Sequence, residues 1–334
     1  MSETQWEMMR KIEQGKDLTS IVSTMKLLSA VSIGHIESSL RSLEDYYNAV
    51  TLSLSACFHA RDCNNESKNS KEFSHNPREK ANRKNQRNEK SNTIIVLGSA
   101  QGLVGQFNNS VASFLANSLS ELEGSTTIWA SGERVASALS QAEIHCNDIF
   151  VSPDRVETVY DFLDDIFKKT DIFNNNPTHH TVHIFLNKRA FSGDSFKSCS
   201  IKLLPFHENN NEKKVENRKK IDTIQNLAAA QAPWPSRVTP DIWNGVSETL
   251  LSVAREFVFI SLFRACCESL IAENLSRFAA MQRAEKNIHE MLENMTLAYH
   301  RERQSCIDEE LFDVIMGGLE NNEHATNATN LRPK

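Results

Sequence analysis

The residues best suited to chemistry lie in the middle of the chain. Gly98, Gly102 and Gly105 follow an apolar run and precede a helical pattern, where a glycine-rich loop would cradle phosphate. Their spacing is not G-x-G-x-x-G, and no Gly-Lys-Ser/Thr follows, so the segment reads as a tight strand-to-helix turn. His179, His180 and His183 offer imidazoles to a metal. On a strand, His179 and His183 share one face and His180 opposes them, leaving two ligands where zinc takes three or four. Ser192-Gly193-Asp194-Ser195 lacks the G-x-S-x-G frame of a nucleophile elbow and reads as a turn. Seven cysteines, at 57, 63, 146, 199, 266, 267 and 306, are odd in number and form no C-x-x-C. They are expected to be free thiols in a reducing compartment, with the cytosol as default. These residues predict no catalytic site, no cofactor and no metal centre.

Composition narrows the class further. The 334 residues suffice for one large domain or two modest ones, and 40% hydrophobic with 24% charged residues is ordinary for a globular protein. A net charge of -6 argues against nucleic acid as the main partner, since phosphate binding needs an excess of Lys and Arg. No apolar run approaches the roughly 18 residues that span a bilayer. The stretch MSETQWEMMRKIEQG resembles neither a signal peptide nor a transit peptide.

The elements that would position any site come next. Ile33, Ile36, Leu40, Leu43, Tyr47, Val50, Leu54 and Cys57 alternate steps of three and four, a coiled-coil seam. Leu18, Ile21, Met25 and Leu28 keep the rhythm with a slip of register before Ile33. One helix from Glu3 to Cys57 is predicted, ~80 Å long at ~1.5 Å per residue. Near the other end, Thr239 suits an N-cap and Pro240 a first helical position. Met281, Ala284, Ile288, Met291, Met295 and Ala298 form a second stripe, and Gly317-Gly318 a stop. That helix would exceed ~100 Å. Neither helix buries its stripe alone, and an antiparallel pair of the two does.

The middle reads as α/β, with SNTIIVLG, TTIWAS, TVHIFLN and SIKLLPF as strands. NSVASFLANSLSEL and a helix capped by Ser152 and Pro153 lie between them. Such alternation predicts a Rossmann-like, mostly parallel sheet. The expected layout is an N-terminal coiled-coil helix in 1–60, a polar loop in 61–92 and the α/β domain in 93–206. A linker in 207–238, a C-terminal coiled-coil helix in 239–318 and a tail in 319–334 complete it. The segments 61–92 and 207–222 bury too little apolar surface to offset their ordering entropy.

The C-terminal helix carries a family resemblance. Phe263-Arg264-Ala265-Cys266-Cys267-Glu268-Ser269-Leu270-Ile271-Ala272-Glu273-Asn274 resembles the Y-R-A-x-x-E-S-x-A-S-E-x run of gamma subunits of F-type ATP synthases. Arg277, Ala280-Met281, Ala284 and Asn287 continue the likeness, as do Leu297, Tyr299, Arg303-Gln304, Ile307, Glu310-Leu311 and Gly317-Gly318. Arg10-Lys11-Ile12 and Thr24-Met25-Lys26-Leu27 are similar to that family's N-terminal motifs. Ser99-Ala100-Gln101-Gly102-Leu103-Val104-Gly105 with Asn108, Phe185-Leu186-Asn187-Lys188, and Leu203-Leu204-Pro205 fall in family order. The departures are Thr19 to Ser23, which lack the family's lysines, Ala100-Gln101 for an acidic-basic pair, and Asp308 for a threonine. They leave open a divergent bacterial member, including the alternative Na⁺-translocating type.

The resemblance implies a central-stalk rotor that carries torque between a membrane c-ring and a catalytic ring. It implies alpha, beta and epsilon subunits and the c-ring as partners, coupling to protons or sodium, and no catalytic site in this chain. A peripheral place on the cytoplasmic side of a bacterial plasma membrane follows. Met25, Lys26, Glu273, Arg277, Arg303 and Gln304 match family positions that meet the catalytic ring. Without it, each reads as a solvated helix face, and Glu273 and Arg277, one turn apart, as an exposed i,i+4 pair. A small-molecule-binding α/β protein with a helical oligomerisation arm is the alternative, with a convergent pocket at the strand ends as its mark. A coiled-coil scaffold outside energy coupling is a third.

Overall fold

The computed structural model describes residues 3–69, 91–120, 122, 124–169, 180–190, 195–204, 240–243 and 245–329. The expectations for His179, Ser192 to Asp194, Pro205, Thr239, residues 70–90 and the segment 207–222 fall outside these residues. The elements are α1 (Glu3–Asn69), β1 (Ser91–Leu97), α2 (Phe107–Leu119), β2 (Ser125–Ser131) and α3 (Glu133–Gln141). Then come β3 (Asp148–Phe150), α4 (Val156–Lys169), β4 (His180–Arg189), β5 (Phe196–Leu204) and α5 (Val246–Thr329). Two compact units contain them, residues 28–279 and residues 1–27 with 280–334.

Residues 28–279 build around a five-stranded sheet of order β3-β2-β1-β4-β5. The first four strands are parallel, and β5 returns antiparallel to β4. This is the mostly parallel α/β sheet that the alternation of patterns predicts. Side chains alternate across β1. Ile94 and Val96 meet Val111, Leu115, Val135 and Leu139 of α2 and α3, while Ile95 and Leu97 face the cluster of α4 and α5. On that second face α5 is covered on most sides, with Val258, Leu262, Phe263, Cys266, Cys267 and Leu270 buried and Arg264 and Glu268 partly exposed. A helix of that kind needs cover from more than one element. The sheet supplies one side, and α1 supplies another through Tyr47, Val50 and Leu54 against Ala254, Phe257 and Ile260. Tyr46 Oη also donates to Glu256 Oε1 at 2.6 Å.

In the unit of residues 1–27 and 280–334, Gly15 lies against Leu292 and Lys26 pairs with Glu285. Rising numbers on α1 meet falling numbers on α5, so the helices run antiparallel. They do so in the larger unit as well, where Tyr46 meets Glu256 and Leu40 approaches Glu268. The partner segments differ from the expectation. The stripe Ile33 to Cys57 lies against residues 254–271 and the sheet, and the Met281 region lies against the start of α1.

The seam itself needs correcting. Leu18, Ile21, Met25 and Leu28 are exposed. Before Ile33, Gln5, Met8, Ile12, Gly15, Thr19, Val22, Lys26 and Ser29 are covered in unbroken steps of three and four, with Ser23 and Ser32 partly covered beside them. There is no slip of register. Gln5, Gly15, Thr19, Lys26 and Ser29 alternate there with Met8, Ile12 and Val22, and the stripe Leu18, Ile21, Met25 and Leu28 forms a second, exposed face. On α5, Leu292 takes the seam place expected of Met291, which is exposed.

Other boundaries move for local reasons. α1 runs on to Asn69, into the stretch read as loop. α5 begins at Val246 because Gly245 has φ +86°, which no helix accommodates. Its helix passes through Gly317-Gly318 to Thr329. Glycine costs a helix about 1 kcal/mol and does not stop it where no proline follows at once. Ser152 does not cap α4; its Oγ donates to Gly98 O at 3.2 Å, and α4 starts at Val156. The short α3 and the three-residue β3 went unforeseen, since neither is long enough to show a period.

Candidate functional site

The residues that the sequence singles out divide into inward and outward sets. Glu273 and Arg277 point inward. Arg277 Nη2 donates to Glu273 Oε1 at 2.6 Å and Nη1 donates to Asn274 Oδ1 at 3.0 Å. Asn274 in turn donates to Leu270 O. The Glu273 and Arg277 side chains are only 6% and 12% exposed, so the expected solvated pair is in fact buried. Burial pushes the Glu273 carboxyl up to about 7, against the lowering pull of Arg277, and Asp154 adds a smaller upward push. Sequence spacing finds such a pair but not its burial, because both residues are charged and the cover comes from elsewhere in the chain.

Beside the pair, α5 receives the turn after β1. Ser276 Oγ donates to Val104 O at 2.6 Å, and Ala272 lies in one cluster with Val104 and Phe107. The turn is locked from within. Ser99 N donates to Asn108 Oδ1, and Asn108 Nδ2 donates to Ser99 Oγ, both at 3.0 Å. Asn187 of β4 donates to Phe107 O at 2.8 Å and accepts from Ser198 Oγ. A Cβ at Gly98 would stand 2.4 Å from Val135 Cβ and 2.9 Å from Asn108 Oδ1. Gly98 is there for close packing of β1 against α3. Gly98→Ala is therefore expected to lower the unfolding free energy by about 1–3 kcal/mol, read from a denaturant midpoint. An unchanged midpoint would remove the packing argument.

This turn bears on the ligand-binding alternative. In open α/β sheets ligands enter between the strands where the order reverses, here between β1 and β4. Asn187 and Phe107 bridge that gap with protein groups of their own. Ser276 and Asn187 carry this arrangement. Asn187 stood in a family motif, while Ser276 gave no signal of its own.

Potential nucleophiles and ligands are quiet. Burial drives both Cys266 and Cys267 upward, the latter to about 12, so neither is a thiolate near neutrality. His183 is buried, and its imidazole is lowered to about 4 by burial and then by Lys202. Among the described residues no three His, Cys, Asp or Glu side chains gather as metal ligands.

Of the outward set, Met25, Arg303 and Gln304 are exposed. Lys26 belongs with the inward set, since its ammonium pairs with Glu285 across the seam. Around Met25 the surface is apolar, with Leu18, Ile21 and Leu27 on α1 exposed. Ile307, Leu311, Phe312, Val314, Ile315 and Met316 on α5 are exposed as well. Sequence reading missed the exposed α1 surface because it assigned that stripe to the seam.

Known proteins match the whole chain. The family model described as ATP synthase matches residues 4–320. The mitochondrial ATP synthase F(1) complex subunit gamma of Rattus norvegicus is 24% identical over 312 residues, 92% of this chain and 96% of the rat protein. The ATP synthase gamma chain of Ruminiclostridium cellulolyticum is 21% identical, covering 95% of this chain and 98% of its own length. Among solved structures, a chain of the Euglena gracilis mitochondrial ATP synthase (OSCP, F1 and c-ring) aligns with TM-score 0.56 at 15% identity. It covers 99% of this chain and 97% of that one, a likeness of fold. With a family match over nearly all of its residues and gamma chains aligned from end to end, the chain belongs to the ATP synthase gamma family.

Proposed function

We propose that this chain is the central-stalk rotor of an F-type ATP synthase, transmitting torque between a membrane c-ring and a catalytic ring of alpha and beta subunits. One observation carries the reading. Beyond a seam that covers Met8, Ile12 and Val22 on α1 and Met281, Ile288 and Leu292 on α5, large apolar residues stay exposed: Leu18, Ile21, Met25 and Leu27 on α1, and Ile307, Leu311, Phe312, Val314, Ile315 and Met316 on α5. A helical pair built that way leaves a large apolar surface in water unless a partner encloses it. Enclosure by a collar of other subunits, contacting the helices without fusing to them, is what a rotor requires. Met25, Arg303 and Gln304 are the contacts assigned to that collar. The sheet-bearing unit would meet the epsilon subunit and the c-ring.

In this reading the chain is non-catalytic and biases the beta subunits through contacts that differ between their states. No helix among the described residues is long and apolar enough to cross a membrane. The chain would therefore be peripheral, held through the complex on the cytoplasmic side of a bacterial plasma membrane. The coupling ion, proton or sodium, would be chosen in the membrane ring.

The test uses Ile21→Glu, at a residue 53% exposed. Folding stability should stay within about 0.5 kcal/mol. ATP-driven ion pumping by the assembled complex should fall at least tenfold, since a carboxylate would then face the apolar collar. Wild-type pumping in this variant would count against an enclosing partner.

A further inference from the structure

We propose that Lys26 and Glu285 form a register lock, holding the helical segments 3–27 and 280–329 at one stagger and so fixing where their exposed apolar residues lie relative to one another. The lock answers a problem that the seam creates. Apolar knobs of distinct shape normally specify how two helices slide past one another. Here, between Ile12 and Val22, the α1 side of the seam holds only Gly15 and Thr19, groups small enough to accept several neighbours. Two features discriminate. Gly15 leaves room for Leu292, whose Cδ2 would stand 2.6 Å from a Cβ at that position. Lys26 Nζ meets Glu285 Oε2, with the two side chains 28% and 30% exposed.

Sliding α5 by one heptad shows what they exclude. A slip of seven residues would set Lys26 against Leu292 or Phe278, and Gly15 against Tyr299 or Glu285. The first sets the ammonium against an apolar side chain in place of the carboxylate that it meets in the observed register. The second forces a ring or a carboxylate into a hole shaped for Leu292. A half-covered ion pair contributes little by itself. Losing that carboxylate in each wrong register is costly, so the pair acts by penalising the alternatives. It is a positioning pair, for it touches no ligand. Its consequence for coupling rests on the rotor reading, while its effect on register does not.

The experiment keeps the full chain in its complex. Spin labels enter at exposed Ser20 and Asn294 as a non-canonical amino acid, leaving the seven native thiols alone. Lys26→Glu and Glu285→Lys should each shift or split the label distance by about 5 Å or more, one helical turn, and lower ions pumped per ATP at least threefold. The double swap should restore both readouts. Assembly lost in both single variants and regained in the swap would support the lock equally. Lys26→Met keeps the packing stem without the charge and should split the distance as well. A wild-type distance in Lys26→Met and Lys26→Glu overturns the proposal, as does a swap that fails to restore it. Shifted and rescued distances with unaltered pumping would uphold the lock and count against the rotor reading instead.

Discussion

Replacing Arg277 with alanine is expected to cost the fold about 3–5 kcal/mol at pH 8, the loss seen when one partner of a buried ion pair is removed. The orphaned Glu273 carboxylate would keep its burial and lose the guanidinium that offsets it. The cost should shrink at pH 5, because a carboxyl that is raised already takes up a proton instead of staying charged. Replacing both residues by methionine should recover most of the loss, since apolar groups of similar volume meet no desolvation penalty. Chemical denaturation of the three proteins at the two pH values reads all of this. A loss under 1 kcal/mol at pH 8 would mean that the pair is wetter than its geometry says. Because the substitution strikes the fold, lost pumping in Arg277→Ala would not by itself identify a coupling contact.

The unaltered chain should itself lose about 2.5 kcal/mol of stability between pH 5 and pH 8, through Glu273 alone. The sign follows from proton uptake. The unfolded carboxyl titrates near its ordinary 4.5 and the folded one near 7, so between those values the folded state holds more protons. Stability from this group is complete below the unfolded value and is lost as pH rises through the folded one. Glu273→Gln keeps the shape without the titration and should flatten the slope across that window. The check is a set of denaturant midpoints from pH 4.5 to 8 for both proteins. Parallel curves would show that Glu273 titrates as an ordinary exposed acid.

Much of the fold was legible. Two long helices show in sustained steps of three and four without proline, and the sheet shows in apolar runs between helical patterns. The hidden parts share a cause, which is that periodicity records residue type and not cover. Gly15, Thr19, Lys26 and Ser29 keep the seam's rhythm, but none is a residue that a search for apolar stripes counts. Leu18, Ile21 and Leu28 are such residues and face outward. The same blindness made Glu273 and Arg277 look solvated, since only the folded chain brings their cover to them. At the β1–α2 turn the spacing excluded a phosphate loop, yet the contacts of Gly98 with Val135 and of Ser276 with Val104 depend on distant segments. Of the candidate site, the positions were readable and their orientation was not.

The pairing of α1 with α5 has a consequence for birth on the ribosome. Tyr46 and Glu256, which bond across the pair, are 210 residues apart in the chain. At about 5–20 residues per second of synthesis, α1 waits about 10–40 seconds before its partner emerges. Through that interval Tyr47, Val50 and Leu54 have no α5 to cover them, and the sheet that joins them in the finished unit is still being assembled. An amphipathic helix so exposed is a natural client for a holding chaperone and a ready seed for self-association.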